Sequence, residues 1–142
     1  MARDYQLTGL KRLLNGFIKL GLRFGLGPPG GRLLTVRGRK TGRDYTTPVN
    51  LVERDGHWFL VSPYGERGWT RNARAAGEVT LRRGGKQETR HLEELPPDQA
   101  APILREYLKR NSITQPYFDV TLDSPDEAFL AEAPKHPVFG LT

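Results

Sequence analysis

Apolar side chains recur at Leu7, Leu10, Leu14, Phe17 and Ile18, near helical spacing, and Leu13, Leu20 and Leu22 widen the stripe. The pattern predicts an N-terminal amphipathic helix over about residues 5–24, from Tyr5 to Phe24, with a basic face of Lys11, Arg12, Lys19 and Arg23. Gly25, Gly27, Pro28, Pro29, Gly30 and Gly31 then end it in a loop. The stripe is expected to pack on the rest of the fold, as amphipathic helices commonly do. A basic amphipathic helix can also lie on an anionic membrane or cover a ligand pocket.

Between Leu33 and Val52 the rhythm changes to strand signals: Leu33, Leu34, Thr35 and Val36, then Tyr45, Thr46, Thr47, Val49, Leu51 and Val52. These read as a hairpin turning at Gly38-Arg39-Lys40-Thr41-Gly42. Arg54-Asp55-Gly56 marks the next turn, before a strand from His57 to Ser62 that Pro63-Tyr64-Gly65 breaks. Gly68 to Ala76 reads as a helix stopped by Gly77, and Glu78–Arg83 with Gln87–Glu93 as a second hairpin across Gly84-Gly85. Pro96 to Arg110 is helical, with Ile103, Leu104, Tyr107 and Leu108 as its buried stripe. Ser124-Pro125-Asp126-Glu127 has the form of a capping box with Pro at the first helical position, opening a helix that ends before Pro134. A last short strand runs from Pro137 to Leu141. Short strands with helices inserted between them give an α+β fold, a small antiparallel barrel with covering helices.

The 142 residues fit one domain with a real core, and no apolar run approaches the ~20 residues needed to span a bilayer. Sixteen Gly and eleven Pro favour a turn-rich β fold over a helix bundle. There are no cysteines, which excludes disulfides and thiol chemistry, and three scattered histidines argue against a metal site. The N-terminus mixes basic and apolar residues and is a poor signal peptide, so a cytoplasmic protein is expected, with peripheral membrane contact through the first helix as a possibility. A net charge of +6 calls for an anionic partner. Nucleic acid is a poor fit, since the basic residues lack interleaved aromatics and no helix-turn-helix pattern is present.

The charge concentrates at the first hairpin turn, where Arg37, Arg39, Lys40 and Arg43 precede any acid until Asp44. Two glycines let a ligand approach the backbone amides there. No catalytic triad is visible; His57, His91 and His136 lie in or beside strands and read as surface or rim residues. An anion-binding turn without acid–base machinery fits an enzyme whose cofactor supplies the chemistry. Ser62 at a strand end is expected to offer its hydroxyl at the barrel mouth. Trp69 and Asn72 share a helix face, suited either to a heterocycle edge or to anchoring the helix and satisfying loop carbonyls.

Gly38-Arg39-Lys40-Thr41-Gly42, Thr46-Thr47-Pro48, Ser62 before a Gly-containing loop, Trp69-x-x-Asn72 and Arg74-Ala75-Ala76-Gly77 together resemble the deazaflavin-dependent nitroreductase family. The similarity covers about residues 30–85, and the Pro137-Val138-Phe139 strand also fits. The resemblance implies a split β-barrel of the FMN-binding kind and coenzyme F420, a deazaflavin with a phosphate and an oligoglutamate tail that donates a hydride when reduced; FMN is the alternative. It further implies that Arg39, Lys40 and Thr41 hold the phosphate, with Arg37 or Arg43 on the tail. Thr46, Thr47, Pro48 and Val49 would line the ring and its chain, Ser62, Pro63 and Tyr64 border the deazaflavin, and Trp69, Arg71 and Asn72 close the site. The chain departs from the family pattern at Pro63-Tyr64, where Lys-Gly is more usual, and offers Tyr117-Phe118 in place of a C-terminal tyrosine cluster. Tyr117 and Tyr64 are therefore the proton-donor candidates. The expected activity is hydride transfer from reduced F420 to a quinone, nitro compound or activated alkene; the competing expectation is a cofactor- or lipid-binding protein of the same fold.

Overall fold

The computed structural model describes Ala2 and residues 9–142, so the expected start of the first helix, from Tyr5 through Leu7, lies outside the described residues. Six strands close into one antiparallel barrel: β1 (Gly31–Arg37), β2 (Asp44–Arg54), β3 (His57–Val61), β4 (Glu78–Arg83), β5 (Lys86–Glu94) and β6 (Val138–Leu141). Their order around the barrel is β1-β2-β3-β6-β5-β4. The α+β split-barrel expectation is met, and closure leaves no free sheet edge. In the first hairpin Leu34 faces Thr47 and Arg37 faces Asp44 across the pair, which puts residues 38–43 at its tip.

Four helices dress the barrel: α1 (Gly9–Arg23), α2 (Gly68–Ala76), α3 (Pro97–Arg110) and α4 (Asp126–Glu132). The barrel interior is filled by Leu34, Val36, Leu51, Leu60, Val79, Leu81, Phe139 and Leu141, with Ala73 of α2 against it. A second apolar core lies between the barrel wall and the outer helices: Val52, Val61 and Val138 meet Ile103, Leu104, Tyr107 and Leu108 of α3 and Phe129 of α4. Gly77 ends α2 at φ 76°, in the left-handed region that glycine adopts without strain.

Two expectations fail. Ser124 does not cap α4: Pro125 is the N-cap, and the Ser124 hydroxyl instead accepts the Thr121 amide (2.9 Å). The Pro ring fixes φ at the helix entrance, so α4 starts one residue later and without a side-chain cap.

The second failure is the facing of α1. Its stripe does not pack on the barrel: Leu10, Leu13, Leu14, Phe17 and Leu20 are exposed, Phe17 at 65 %, and Phe24 and Leu26 continue the patch. Leu22 is the one buried side chain of the helix. The side towards the barrel is that of Lys11, Asn15, Lys19 and Leu22, which are half-buried or buried. Anchoring comes from the loop behind the helix. Arg83 donates to the carbonyls of Gly27 (3.0 Å), Pro28 (2.5 Å) and Gly31 (3.0 Å), and the Gly84 amide donates to Leu22 O (2.9 Å). These bonds fix where α1 ends, and the polar face it then presents inward leaves the apolar one outside.

Candidate functional site

A cleft of about 410 Å³ opens between the barrel wall, the start of α2 and the inner side of α1. β2 contributes Thr47, Pro48, Val49 and Asn50; the loop after β3 contributes Pro63 and Tyr64; α2 contributes Gly68 and Trp69. Asn15, Ile18 and Leu22 of α1, Pro28, Val61, Arg67 and Tyr107 complete the wall. None of this last group was read as site-lining from the sequence. The helical period could have nominated Ile18 and Leu22, had the facing of α1 been known.

Thr46 is not among the residues that line the cleft. Its hydroxyl pairs with that of Thr35 across the outer surface (2.9 Å). Trp69 lines the cleft, and its ring packs on Phe139 at 6.3 Å. Ser62 is 1 % exposed, and its hydroxyl donates to Gly65 O, closing the loop. It is not the open donor that its strand-end position implied. Gly65 sits at φ 86°, and an added Cβ would meet the Lys135 carbonyl at 3.3 Å, so glycine lets the loop lie flat on that segment.

One helical turn beyond Trp69 lies the cationic turn. Asn72, buried, accepts from the Arg39 amide (3.1 Å) and from Arg39 Nη1 (2.7 Å), which ties α2 to the hairpin tip. The Gly42 amide donates to Gly38 O (3.0 Å), and the Arg43 amide to the Thr41 hydroxyl (3.3 Å). A Cβ at Gly38 would come within 2.6 Å of the Tyr45 ring, so glycine is what lets the hairpin close beneath Arg39. Arg71 is exposed on α2.

Arg37, Arg39, Lys40 and Arg43 are exposed, and among the described residues none of them has a carboxylate partner. Other cations are matched: Arg74 bridges Glu66 and Glu94, each at 2.7 Å, and Arg105 pairs with Asp126 at 2.9 Å. A larger groove of about 570 Å³ between α3 and α4 is lined by that same Arg105, which also lies over the Phe129 ring at 4.2 Å. The tip of the first hairpin thus gathers, within seven residues, four cations without a carboxylate partner.

At the other end of the cleft the two tyrosine candidates meet. The rings of Tyr64 and Tyr117 stand edge to face, 4.8 Å between centroids. Tyr117 ends a 3-10 turn over Ser112–Tyr117, and Lys11 Nζ lies 3.3 Å from its hydroxyl. Tyr107 beside them is buried, and burial, reinforced by Tyr64, raises its hydroxyl above the ordinary value, so it remains protonated.

His136 is not a rim histidine. It is 3 % exposed, stacked on Phe118 at 4.0 Å, with Nδ1 at 2.8 Å from Pro63 O and Nε2 at 2.7 Å from Glu132 Oε2. The spacing of Glu132 and His136 is visible in the sequence, but their burial depends on a 3-10 turn, Ala133–Lys135, that carries α4 towards the barrel.

The donor set fits the ligand that the sequence resemblance implied. A flat ring matches a cleft walled by Trp69, Pro48, Val49 and Ile18, and an anionic tail matches four unmatched cations one helical turn away.

Solved structures share this fold. An F420-H2 dependent reductase (FDR-A) aligns with a TM-score of 0.56 at 20% identity, covering 80% of this chain and 95% of its own. A NimC/NimA family protein from Clostridium acetobutylicum aligns at TM-score 0.53 and 14% identity, over 94% and 80% of the two chains. A putative pyridoxamine 5'-phosphate oxidase from Listeria innocua gives 0.52 and 12%, over 92% and 90%. No curated protein matches the sequence. The family comparison is more specific: residues 8–122, spanning the first hairpin, the cleft and the tyrosine pair, match the F420H(2)-dependent quinone reductases, and the chain belongs to that family of F420H2-dependent reductase enzymes.

Proposed function

We propose that the protein transfers a hydride from reduced F420 to a membrane-soluble quinone, with Arg39, Lys40 and Thr41 holding the cofactor phosphate. Arg37 and Arg43 meet the glutamate tail. Thr47, Pro48, Val49 and Trp69 enclose the flat ring, Arg71 and Asn72 support the approach to it, and Ser62 and Pro63 shape the loop at its edge. The observation carrying this reading is the cluster of four unpaired cations one helical turn from an aromatic-walled cleft. Charge-assisted bonds to phosphate and carboxylate are the strong class of hydrogen bond, and the clustered cations of the turn are free of carboxylates that would compete for them.

The bound cofactor supplies the hydride and its two electrons. The chain's residues do the rest. Pro48, Val49 and Trp69 line the cleft and would orient the flat ring and its acceptor, which gives the large advantage of orientation. Ile18 and Leu22 cover the cleft from α1 and exclude water. The quinone oxygen takes up a proton as the hydride arrives, and Tyr64 or Tyr117 stands at the cleft to give it. A protonated tyrosine is a weak acid near neutral pH; it suits a step in which the acceptor oxygen gains negative charge.

The outward apolar face of α1 supports the choice of acceptor and the peripheral contact. Leu10, Leu13, Leu14, Phe17, Leu20 and Phe24 are left in water, where each would gain about 1.5–3 kcal/mol on burial. Arg12 and Arg23 are exposed along the same helix. An apolar face with basic flanks matches an anionic lipid surface, and the helix whose other side roofs the cleft would then lie where a lipid-soluble quinone resides. The test is oxidation of F420H2 by the purified protein with a long-chain quinone in anionic vesicles. Turnover is expected there. Tight F420 binding without turnover on any quinone or nitroaromatic would establish a carrier instead.

A further inference from the structure

We propose that Glu132 and His136 are positioning residues for the reduction: a buried pair that holds Tyr64 beside Tyr117. The inference rests on the reading that these two tyrosines face the acceptor.

The two tyrosines come from segments far apart in the chain, and each segment is fastened to the same pair. On one side His136 Nδ1 gives its hydrogen to Pro63 O, since a carbonyl only accepts, and Pro63 immediately precedes Tyr64. On the other side the His136 ring lies flat on Phe118, 16° from parallel, and Phe118 immediately follows Tyr117. Glu132 Oε2 accepts the Asp119 amide at 3.1 Å, one residue further on, and shares a proton with His136 Nε2. Lys135 closes the arrangement, reaching Glu132 Oε1 at 3.2 Å and Asp119 at 2.9 Å. Every polar contact of the pair thus goes to the Tyr64 loop, to the segment after Tyr117, or to its own helix end.

A purely structural role would be filled better by other residues. The pair sits among Phe118, Phe129, Ala133 and Val138, where apolar side chains of similar volume would pack. A buried ionic pair is often no more stabilising than such a replacement. What the pair adds is direction: a donor aimed at one carbonyl and an acceptor aimed at one amide, at a fixed separation. The loop it orients needs that fixing. Gly65 occupies a left-handed conformation, and Ser62, 1 % exposed, uses its hydroxyl to close the loop on Gly65, leaving His136 as the contact from outside that orients the Pro63 carbonyl.

The test uses full-length protein labelled with fluorotyrosine, with the five tyrosine signals assigned by Tyr→Phe substitution. An Asn amide nitrogen sits about where Nδ1 does, and a Gln amide nitrogen about where Nε2 does. His136→Gln therefore keeps the link to Glu132 and loses the clamp on Pro63; His136→Asn keeps the clamp. The expectation is that His136→Gln shifts the Tyr64 and Tyr117 fluorine signals in the cofactor-free protein and lowers kcat by roughly 10- to 100-fold, the effect of a small misplacement. The F420 dissociation constant stays unchanged, because the cationic turn is untouched, and His136→Asn restores both signals and rate. Glu132→Asp, which keeps the charge but withdraws it from both partners, is the second variant if His136→Gln does not fold, and the same changes are expected of it. Unmoved tyrosine signals in these variants would overturn the proposal. So would full turnover in His136→Gln when Tyr64→Phe or Tyr117→Phe is impaired. Full turnover in His136→Gln, Glu132→Asp, Tyr64→Phe and Tyr117→Phe, with the signals shifted in the first two, would overturn the tyrosine assignment and the positioning role together.

Discussion

At the hairpin tip, the cationic side chains are exposed, unpaired and held on a turn that two glycines and Asn72 shape. At the far end of the cleft, Glu132 and His136 are 2 % and 3 % exposed and every polar atom of the pair has a partner. Both regions are polar and adjoin one cleft, the tip through Asn72 of α2 and the pair through Pro63, yet they are built in opposite ways. Under the proposed function the contrast follows from what each would do. A site that captures a flexible polyanion gains from unmatched charge in water, where steering and charge-assisted bonds act and little else depends on the turn. A site that fixes the direction of a proton needs its groups locked, and burial locks them at the cost of desolvation. Changes at the tip should therefore alter affinity and spare stability, whereas changes at the buried end should alter rate or stability and spare affinity.

The largest expected effect is at the buried end. Of Tyr64→Phe and Tyr117→Phe, the one that removes the proton donor lowers kcat by about 100-fold, the usual scale of general acid catalysis, with the F420 dissociation constant unchanged. Steady-state kinetics beside a cofactor titration separates the two quantities. Equal, unimpaired rates in both variants would leave solvent as the proton source.

At the tip, replacing Arg39 and Lys40 together with Ala should weaken F420 binding about 100-fold, because charged hydrogen bonds contribute about 1.5–3 kcal/mol each. The melting temperature of the cofactor-free protein should fall only slightly, because Asn72 keeps its bond from the backbone amide of residue 39 when the guanidinium is lost and an exposed turn contributes little to the core. A large loss of stability here would break the contrast between the two regions.

The buried pair also sets a dependence on acid. Burial works to raise the Glu132 carboxyl, but hydrogen bonds from His136, the Asp119 amide and Lys135 outweigh it and hold the group below its ordinary 4.5. A pKa lowered on folding stabilises the fold above the unfolded value and loses that contribution as pH falls through the folded one. Thermal melts should therefore show stability declining below about pH 4.5, and Glu132→Gln should flatten that decline while lowering stability at neutral pH by about 3 kcal/mol. An unchanged acid limb in the variant would assign the decline to other carboxylates, Asp119 first, which Lys135 holds low.

The smallest effect concerns α1. Leu13→Ser with Phe17→Ser should reduce binding to anionic vesicles by about tenfold and leave F420 affinity unchanged, since both side chains point away from the cleft. A monomer–dimer change on the same substitutions, without vesicle binding in the parent protein, would place a second copy on that face.

The sequence made the hairpins, α2 and α3 legible because each carries its own punctuation: Gly77 stops α2, and Gly38 and Gly42 make a turn that little else permits. The cationic turn was legible for the same reason, as a local run of charge. Facing was not. A helical period shows that α1 has an apolar stripe, but the side that meets the barrel is decided by Arg83 and Gly84, some sixty residues away, gripping the loop behind it. His136 was hidden for a related reason: its neighbours Pro63 and Phe118 come from two other parts of the chain. Ser62 was read correctly as a strand end but not as a hydroxyl turned back on Gly65, because only the loop's closure reveals that acceptor.

The central claim is that the unpaired turn captures the anionic end of F420 while the cleft receives its ring. Titration of the purified protein with F420 and with FMN, each at rising salt, tests it directly. Tighter binding of F420, weakening steeply as salt screens the turn, is the predicted result; tighter binding of FMN at physiological salt, or F420 binding indifferent to salt, would contradict it.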